Sequence, residues 1–105
     1  MFPLHVYQNR RDRLKGMMPE NSLAIISAAH ESIRNRDAEY PFRQSSDFWY
    51  LTGFTEPDAV LIIGPGHPDR LFVRPKNPDQ EAWTGRRLGP DHVKTGLGID
   101  EGYPI

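Results

Sequence analysis

The residue types that most often carry chemistry are scattered along this sequence. His5, His30, His67 and His92 lie far apart, so no two of them have the i, i+4 spacing of a helical metal motif. We interpret each as a surface or loop histidine. Cysteine is absent, which excludes disulfides, thiolate metal sites and a cysteine nucleophile. The sequence therefore predicts no metal ligands within this chain.

Two short motifs could be taken for catalytic or phosphate-binding elements. Ser45 and Ser46 lie in no G-x-S-x-G frame, and their expected use is to cap a short helix. The glycines at 64 and 66 lack the Lys-Ser/Thr of a phosphate loop, and a hairpin turn accounts for them. We predict no catalytic residue here.

More than half of the aromatic side chains lie in residues 40–54. One interpretation is a core corner, in which Phe48 and Leu51 point inward while Asp47 or Arg43 makes a charge-assisted hydrogen bond to loop backbone. A stacking platform for single-stranded nucleic acid would also interleave aromatic rings with arginine. The net charge of −1 disfavours a nucleic-acid partner, so the core corner is the preferred interpretation.

A second unusual segment, EAWTGRRLG at residues 81–89, places Trp83 between a helical piece and a glycine-containing turn. A tryptophan on a loop either anchors that loop to the core or recognises a partner, and both alternatives stay open. Arg86 and Arg87 could contact an anionic ligand, although surface ion pairs are the favoured interpretation.

Hydrophobic periodicity and chain-breaking residues indicate which elements must position these side chains. The predicted elements are a helix at 7–18 ended by Pro19, a strand at 22–29 buried on both faces, a helix at 47–52 closed by Gly53, a hairpin of strands at 58–63 and 70–74, and helical pieces at 77–82 and 91–95. This order predicts one layered α/β domain with a mixed sheet. Residues 98–105 show no sign of a further element, so we expect a domain that is cut short.

The chain shows no sign of membrane insertion or export. Its longest apolar run, at residues 23–29, is far shorter than a membrane span, and its amino terminus reverses the charge order of a signal peptide. We predict a soluble, cytoplasmic chain without a membrane partner.

The run EYPFRQSSDFWYLTGFTEPDAVL at residues 39–61, followed by EAWTGRRLG, closely resembles the N-terminal domain of aminopeptidase P, in the creatinase and prolidase group. The RRDRL helix near the start also fits that pattern in order and spacing. The resemblance covers about residues 8–98. It implies that residues 1–105 form a three-layer α/β domain of this type, with a mixed sheet flanked by helices and incomplete at its C-terminal end.

The resemblance also implies where the family's chemistry lies. In that family a separate C-terminal domain of pita-bread fold holds two manganese ions through two Asp, one His and two Glu, and a bridging hydroxide attacks the bond before proline. These 105 residues do not contain that domain, so we expect the chain alone to be inactive and to bind no manganese. The implied partners are a peptide with proline second and further copies of the same subunit.

Two residues are similar to substrate-binding residues of that family. By motif position, Trp83 is similar to a tryptophan that lines the substrate pocket, and Asp37 is similar to an aspartate near the substrate's amino end. An indole offers a flat wall to a proline ring, and a carboxylate suits a free α-ammonium. For Asp37 a solvated loop carboxylate is an equal alternative. For the whole chain the alternative is a free-standing creatinase-N-like module that binds a partner or oligomerises without a hydrolase.

Overall fold

A mixed four-stranded sheet organises the chain. The computed structural model describes residues 3–29, 44–75 and 88–105. The strands are β1 (Ala24–Ser27), β2 (Val60–Ile63), β3 (Arg70–Val73) and β4 (Glu101–Pro104). They lie in the order β1-β2-β3-β4, where β1 and β3 are antiparallel to β2 and β4 is parallel to β3. The predicted α/β class with a mixed sheet is confirmed.

Within the described ranges, two of the three helices supply buried apolar side chains to the core beside this sheet, and the first helix packs mainly on the second. The helices are α1 (Leu4–Gly16), α2 (Ser46–Thr52) and α3 (Val93–Leu97), and a 3-10 turn (Pro90–His92) precedes α3. The core shared by strands and helices comprises Ala28, Phe48, Leu51, Phe54, Ala59, Leu61, Ile63, Leu71, Val73, Val93, Leu97 and Ile99. Burying each large aliphatic or aromatic side chain among these stabilises the fold by about 1.5–3 kcal/mol. In the described ranges the helical residues of this core meet one face of the sheet, and a second helical layer stays a prediction.

The predicted helix at 7–18 is present as α1, but it begins at Leu4 and ends at Gly16. Pro3 immediately precedes it, where the missing N–H of proline breaks no helical hydrogen bond. Tyr7 and Arg11 lie one turn apart and are its buried residues. The helix therefore presents one face to the core.

Strand β1 differs from the prediction in its burial. We expected residues 22–29 to be buried on both faces, but the strand alternates, and the Ile25 side chain is 69% exposed. The physical reason is that β1 lies at the edge of the sheet and pairs only with β2. Ile26, on the opposite face, packs against the core.

Strand β4 was not predicted, because residues 98–105 showed no sign of an element. Its sequence contains Gly102 and Pro104, which are poor strand formers but are tolerated at a sheet edge. The Glu101 N–H donates to the Asp69 carbonyl over 3.0 Å, and this bond anchors the strand beside β3. A Cβ on Gly102 would come within 2.4 Å of the Pro90 carbonyl oxygen, so the glycine lets the strand approach the 3-10 turn.

The hairpin and the short helix α2 are confirmed. Residues 64–69 join β2 to β3, and α2 ends at Gly53 in the left-handed conformation, with φ 68°. A Cβ at Gly53 would also lie 2.6 Å from Cζ of Tyr7, so both backbone and packing require glycine there. The predicted side-chain cap is wrong, since Ser45 occupies the N-cap position without a side-chain capping bond.

The last predicted helix, at 91–95, is longer than expected, because the 3-10 turn and α3 together run from Pro90 to Leu97. The predicted helical piece at 77–82 lies outside the described residues, as does the segment at 30–39, for which a loop or a short helical turn is expected.

Candidate functional site

The two predicted substrate-binding residues, Asp37 and Trp83, lie outside the described residues. Asp37 belongs to residues 30–43, called the first segment from here on, and Trp83 to residues 76–87, called the second segment. The residues that flank both segments are described. Strands β1 and β3 are both antiparallel to β2, so they run in the same direction and end at the same edge of the sheet. Ala29 follows β1, and residues 74–75 follow β3. Both segments therefore leave the sheet from one edge, which we call the stem edge and define by Ala29, Gln44, Arg74 and Leu88.

Gln44 connects the two ends of the first segment to the turn between α2 and β2. Its Oε1 accepts hydrogen bonds from the Ala29 N–H at 2.8 Å and the Ser45 N–H at 3.0 Å. Its Nε2 donates to the carbonyl oxygens of Phe54 at 3.2 Å and Glu56 at 2.8 Å. The amide thereby uses both acceptor sites and both donors.

The same turn holds the ends of the second segment. Oε2 of Glu56 accepts a hydrogen bond from the Leu88 N–H at 2.7 Å. Asp58 donates its N–H to the Ala29 carbonyl over 3.0 Å, and its carboxylate pairs with the Arg74 guanidinium. Asp58 adopts φ 57°, a left-handed conformation that few residues other than glycine enter. Residues 54–58 therefore contact every part of the stem edge.

A second polar cluster lies under α1, around the fully buried Arg11. Its Nε pairs with Oδ2 of Asp69 at 2.8 Å, and its Nη1 and Nη2 donate to the carbonyls of Leu51 and Gly98 at 2.8 and 3.1 Å. Lys15 Nζ lies 2.8 Å from Oδ1 of the same aspartate. The cluster ties α1 to the end of α2, to the hairpin loop and to the chain after α3.

The environment of Lys15 raises its pKa above the ordinary value of 10.5. Partial burial disfavours the ammonium, but the hydrogen bond and charge of Asp69, together with the weaker contribution of Asp12, outweigh burial. The Lys15 ammonium therefore keeps its charge beside Asp69 at neutral pH.

The described part of the aromatic segment, residues 44–54, forms a core corner, as preferred. Phe48 and Leu51 are buried, whereas Trp49 and Tyr50 face outward, and the Arg10 guanidinium lies 4.2 Å from the centre of the Tyr50 ring. The hydrogen bonds to loop backbone are made by Gln44, which the sequence interpretation did not assign, while Asp47 lies exposed in the first turn of α2. Arg43 lies outside the described residues.

No metal centre is found within residues 3–29, 44–75 and 88–105, where no three potential ligands come together. His5, His67 and His92 are exposed, and His30 lies outside the described ranges, as do Arg86 and Arg87. Among the residues that the structure describes, no helix is long and apolar enough to cross a membrane.

Comparison with known proteins identifies the fold. Residues 7–105 match the family model of the aminopeptidase P N-terminal domain. The chain belongs to this family. The aminopeptidase P match extends past residue 98, the expected limit, and includes β4.

Three relatives show how far the similarity reaches. The chain is 46% identical to the Xaa-Pro aminopeptidase of Escherichia coli and 41% identical to that of Haemophilus influenzae, over 90% and 98% of its length. It matches a zinc-substituted Escherichia coli aminopeptidase P in complex with product, with a TM-score of 0.90, 42% identity and 98% of this chain covered. It spans only 22%, 25% and 24% of these three proteins, respectively.

The sequence interpretation did not assign the residues that organise the stem edge and the buried polar cluster, which are Gln44, Glu56 and Arg11. Gln44 and Glu56 lie inside the segment that carried the resemblance, yet no local pattern shows that their side chains reach Ala29 and Leu88. Arg11 lies in a charged run that is typical of an exposed helix face. The signal for all three exists only in tertiary contacts.

Proposed function

We propose that this chain acts as the non-catalytic N-terminal domain of a metal-dependent Xaa-Pro aminopeptidase. The observation that carries this proposal is the match of nearly the whole chain to about a quarter of two Xaa-Pro aminopeptidases. The chemistry would then belong to the part of those relatives that this chain does not match, and a manganese centre there is part of the proposal. Within the described residues, no three potential metal ligands come together.

The proposed contribution of this chain is to substrate binding. Trp83 would form an apolar wall for the proline ring, and Asp37 would pair with the α-ammonium of the peptide. The stem edge supports this assignment, because the segments that carry the two residues start from the ends of β1 and β3, which lie on either side of β2 at the same edge of one sheet. One domain can then present an apolar group and a carboxylate to the same peptide.

The remaining partners are proposals of the same kind. A peptide with proline second is the proposed substrate of the whole enzyme, and assembly into a homo-oligomer would bring the domain to a neighbouring active site. We propose the cytoplasm as its compartment, in keeping with a sequence that has no cysteine.

The test compares the isolated chain with a chimera in which it replaces the matching N-terminal part of the Escherichia coli Xaa-Pro aminopeptidase. We expect the chimera to hydrolyse a dipeptide with proline second, and the isolated chain to hydrolyse none in the presence of Mn²⁺. Calorimetric titration of the isolated chain with Mn²⁺ should show no tight, saturable binding. Turnover by the isolated chain, or a folded and metal-loaded chimera without activity, would contradict the proposal.

A further inference from the structure

We infer that Gln44 and Glu56 are positioning residues for substrate binding, because together they fix the stem edge from which the segments carrying Asp37 and Trp83 depart. The inference rests on the proposed function above and adds to it two residues that do not themselves contact the peptide.

The hydrogen bonds of Gln44 and Glu56 lie at the ends of the two segments. Gln44 bonds the residue before the first segment, Ala29, and directly follows that segment itself. Glu56 bonds Leu88, the residue that follows the second segment. Since Nε2 of Gln44 also donates to the Glu56 carbonyl, the ends of both segments are attached to one turn. A displacement of that turn would move Ala29, Gln44 and Leu88, the described residues that flank the two segments.

The turn at residues 54–58 has a fixed geometry. Pro57 restricts its own φ, and Asp58 is held at φ 57° while it bonds Ala29 and pairs with Arg74. A left-handed non-glycine residue is costly and persists where several contacts determine it. The turn is therefore a defined anchor point for the two side chains that hold the segments.

The two carboxylate oxygens of Glu56 have different environments. Its Oε1 is buried and has no hydrogen-bond partner among the described residues, although buried carboxylate oxygens are ordinarily paired. Only Oε2 serves the bond to Leu88, and a glutamine amide could accept that bond equally well. Glutamine is therefore the conservative replacement, whereas alanine removes the attachment.

The experiment measures kcat and KM of the chimera for a dipeptide with proline second, in the variants Gln44→Ala, Glu56→Ala and Glu56→Gln. Loss of either attachment should raise KM about tenfold with a smaller change in kcat, since displaced binding groups weaken substrate binding. Glu56→Gln should keep the KM of the unsubstituted chimera. The stability control is Ile63→Ala, a core truncation at the opposite end of β2, which should lower the melting temperature and leave KM unchanged.

Reference variants separate failure of this inference from failure of the proposed function. If Trp83→Ala and Asp37→Asn raise KM while folded Gln44→Ala and Glu56→Ala do not, the positioning role is wrong and the proposed function stands. If the unsubstituted chimera is inactive, the proposed function fails, and the fluorescence of the isolated chain decides the positioning role.

With Trp49→Phe, Trp83 is the only tryptophan. Gln44→Ala should then change the acrylamide quenching of Trp83 fluorescence, whereas Ile63→Ala should not. Equal quenching in these two variants would overturn the inference.

Discussion

The buried charges of Arg11 and Asp69 persist because each has several partners. Transferring an ion from water into a protein interior costs several kcal/mol unless it is paired and hydrogen-bonded. Here the guanidinium contacts one carboxylate and two carbonyls, while the carboxylate also accepts from Lys15. The cluster therefore fixes the position of α1 with little burial of uncompensated charge.

The raised pKa of Lys15 predicts a loss of stability at high pH. A folded-state pKa above the unfolded value of 10.5 means that the stabilisation is complete below that value and is lost as pH rises through the folded-state pKa. The Lys15→Arg variant stays protonated throughout this range. We expect urea unfolding to give no relative difference at about pH 8, and to show the native chain losing free energy of unfolding relative to Lys15→Arg as the pH rises from about 10 upward. Parallel losses in both proteins would contradict the assigned cause.

For single residues, the sequence could predict the burial of some apolar side chains but not the burial of charges. Phe48 and Leu51 belong to a short apolar helix, and their burial follows from local pattern. Arg11 has charged neighbours on both sides, and its partner Asp69 lies in the hairpin loop, remote in sequence. Only the fold brings the two together.

Because β1 lies at the edge of the sheet, similar substitutions on β1 and on the adjacent β2 should lower the free energy of unfolding by different amounts. Leu61 on β2 is fully buried, and Leu61→Ala should lower the free energy of unfolding by about 2–5 kcal/mol. Ile25 on β1 is mostly exposed, and Ile25→Ala should change it by about 0.5 kcal/mol or less. Urea unfolding of both variants measures the difference. A large loss in Ile25→Ala would show that this face of β1 is covered.

The elements that were predicted well have strong local signals. The loop between the two hairpin strands contains glycine and proline at residues 64–68, and α2 ends where Gly53 adopts a positive φ. The exposed face of β1 and the whole of β4 have no such signal, because both depend on their place in the sheet. An edge strand such as β4 tolerates residues that a central strand excludes.

Over the whole molecule, the sheet topology brings the residues that precede two distant segments to one edge of the sheet. The direction of β1 and β3 brings their ends to the stem edge, although residues 29 and 75 are far apart in sequence. Asp37 and Trp83 could be proposed from motif resemblance alone. Gln44 and Glu56 could not, because their contacts depend on which strand ends share an edge of the sheet.

The central claim is that this domain supplies a pocket residue, and Trp83→Ala in the chimera tests it most directly. If Trp83 contacts substrate, kcat/KM for a peptide with proline second should fall by about 1–3 kcal/mol in transition-state terms, with little change in melting temperature. If Trp83 is instead a core anchor, the variant should lose about 3–5 kcal/mol of stability and, while folded, keep normal turnover. The first result is the one we predict, and the second would contradict the account.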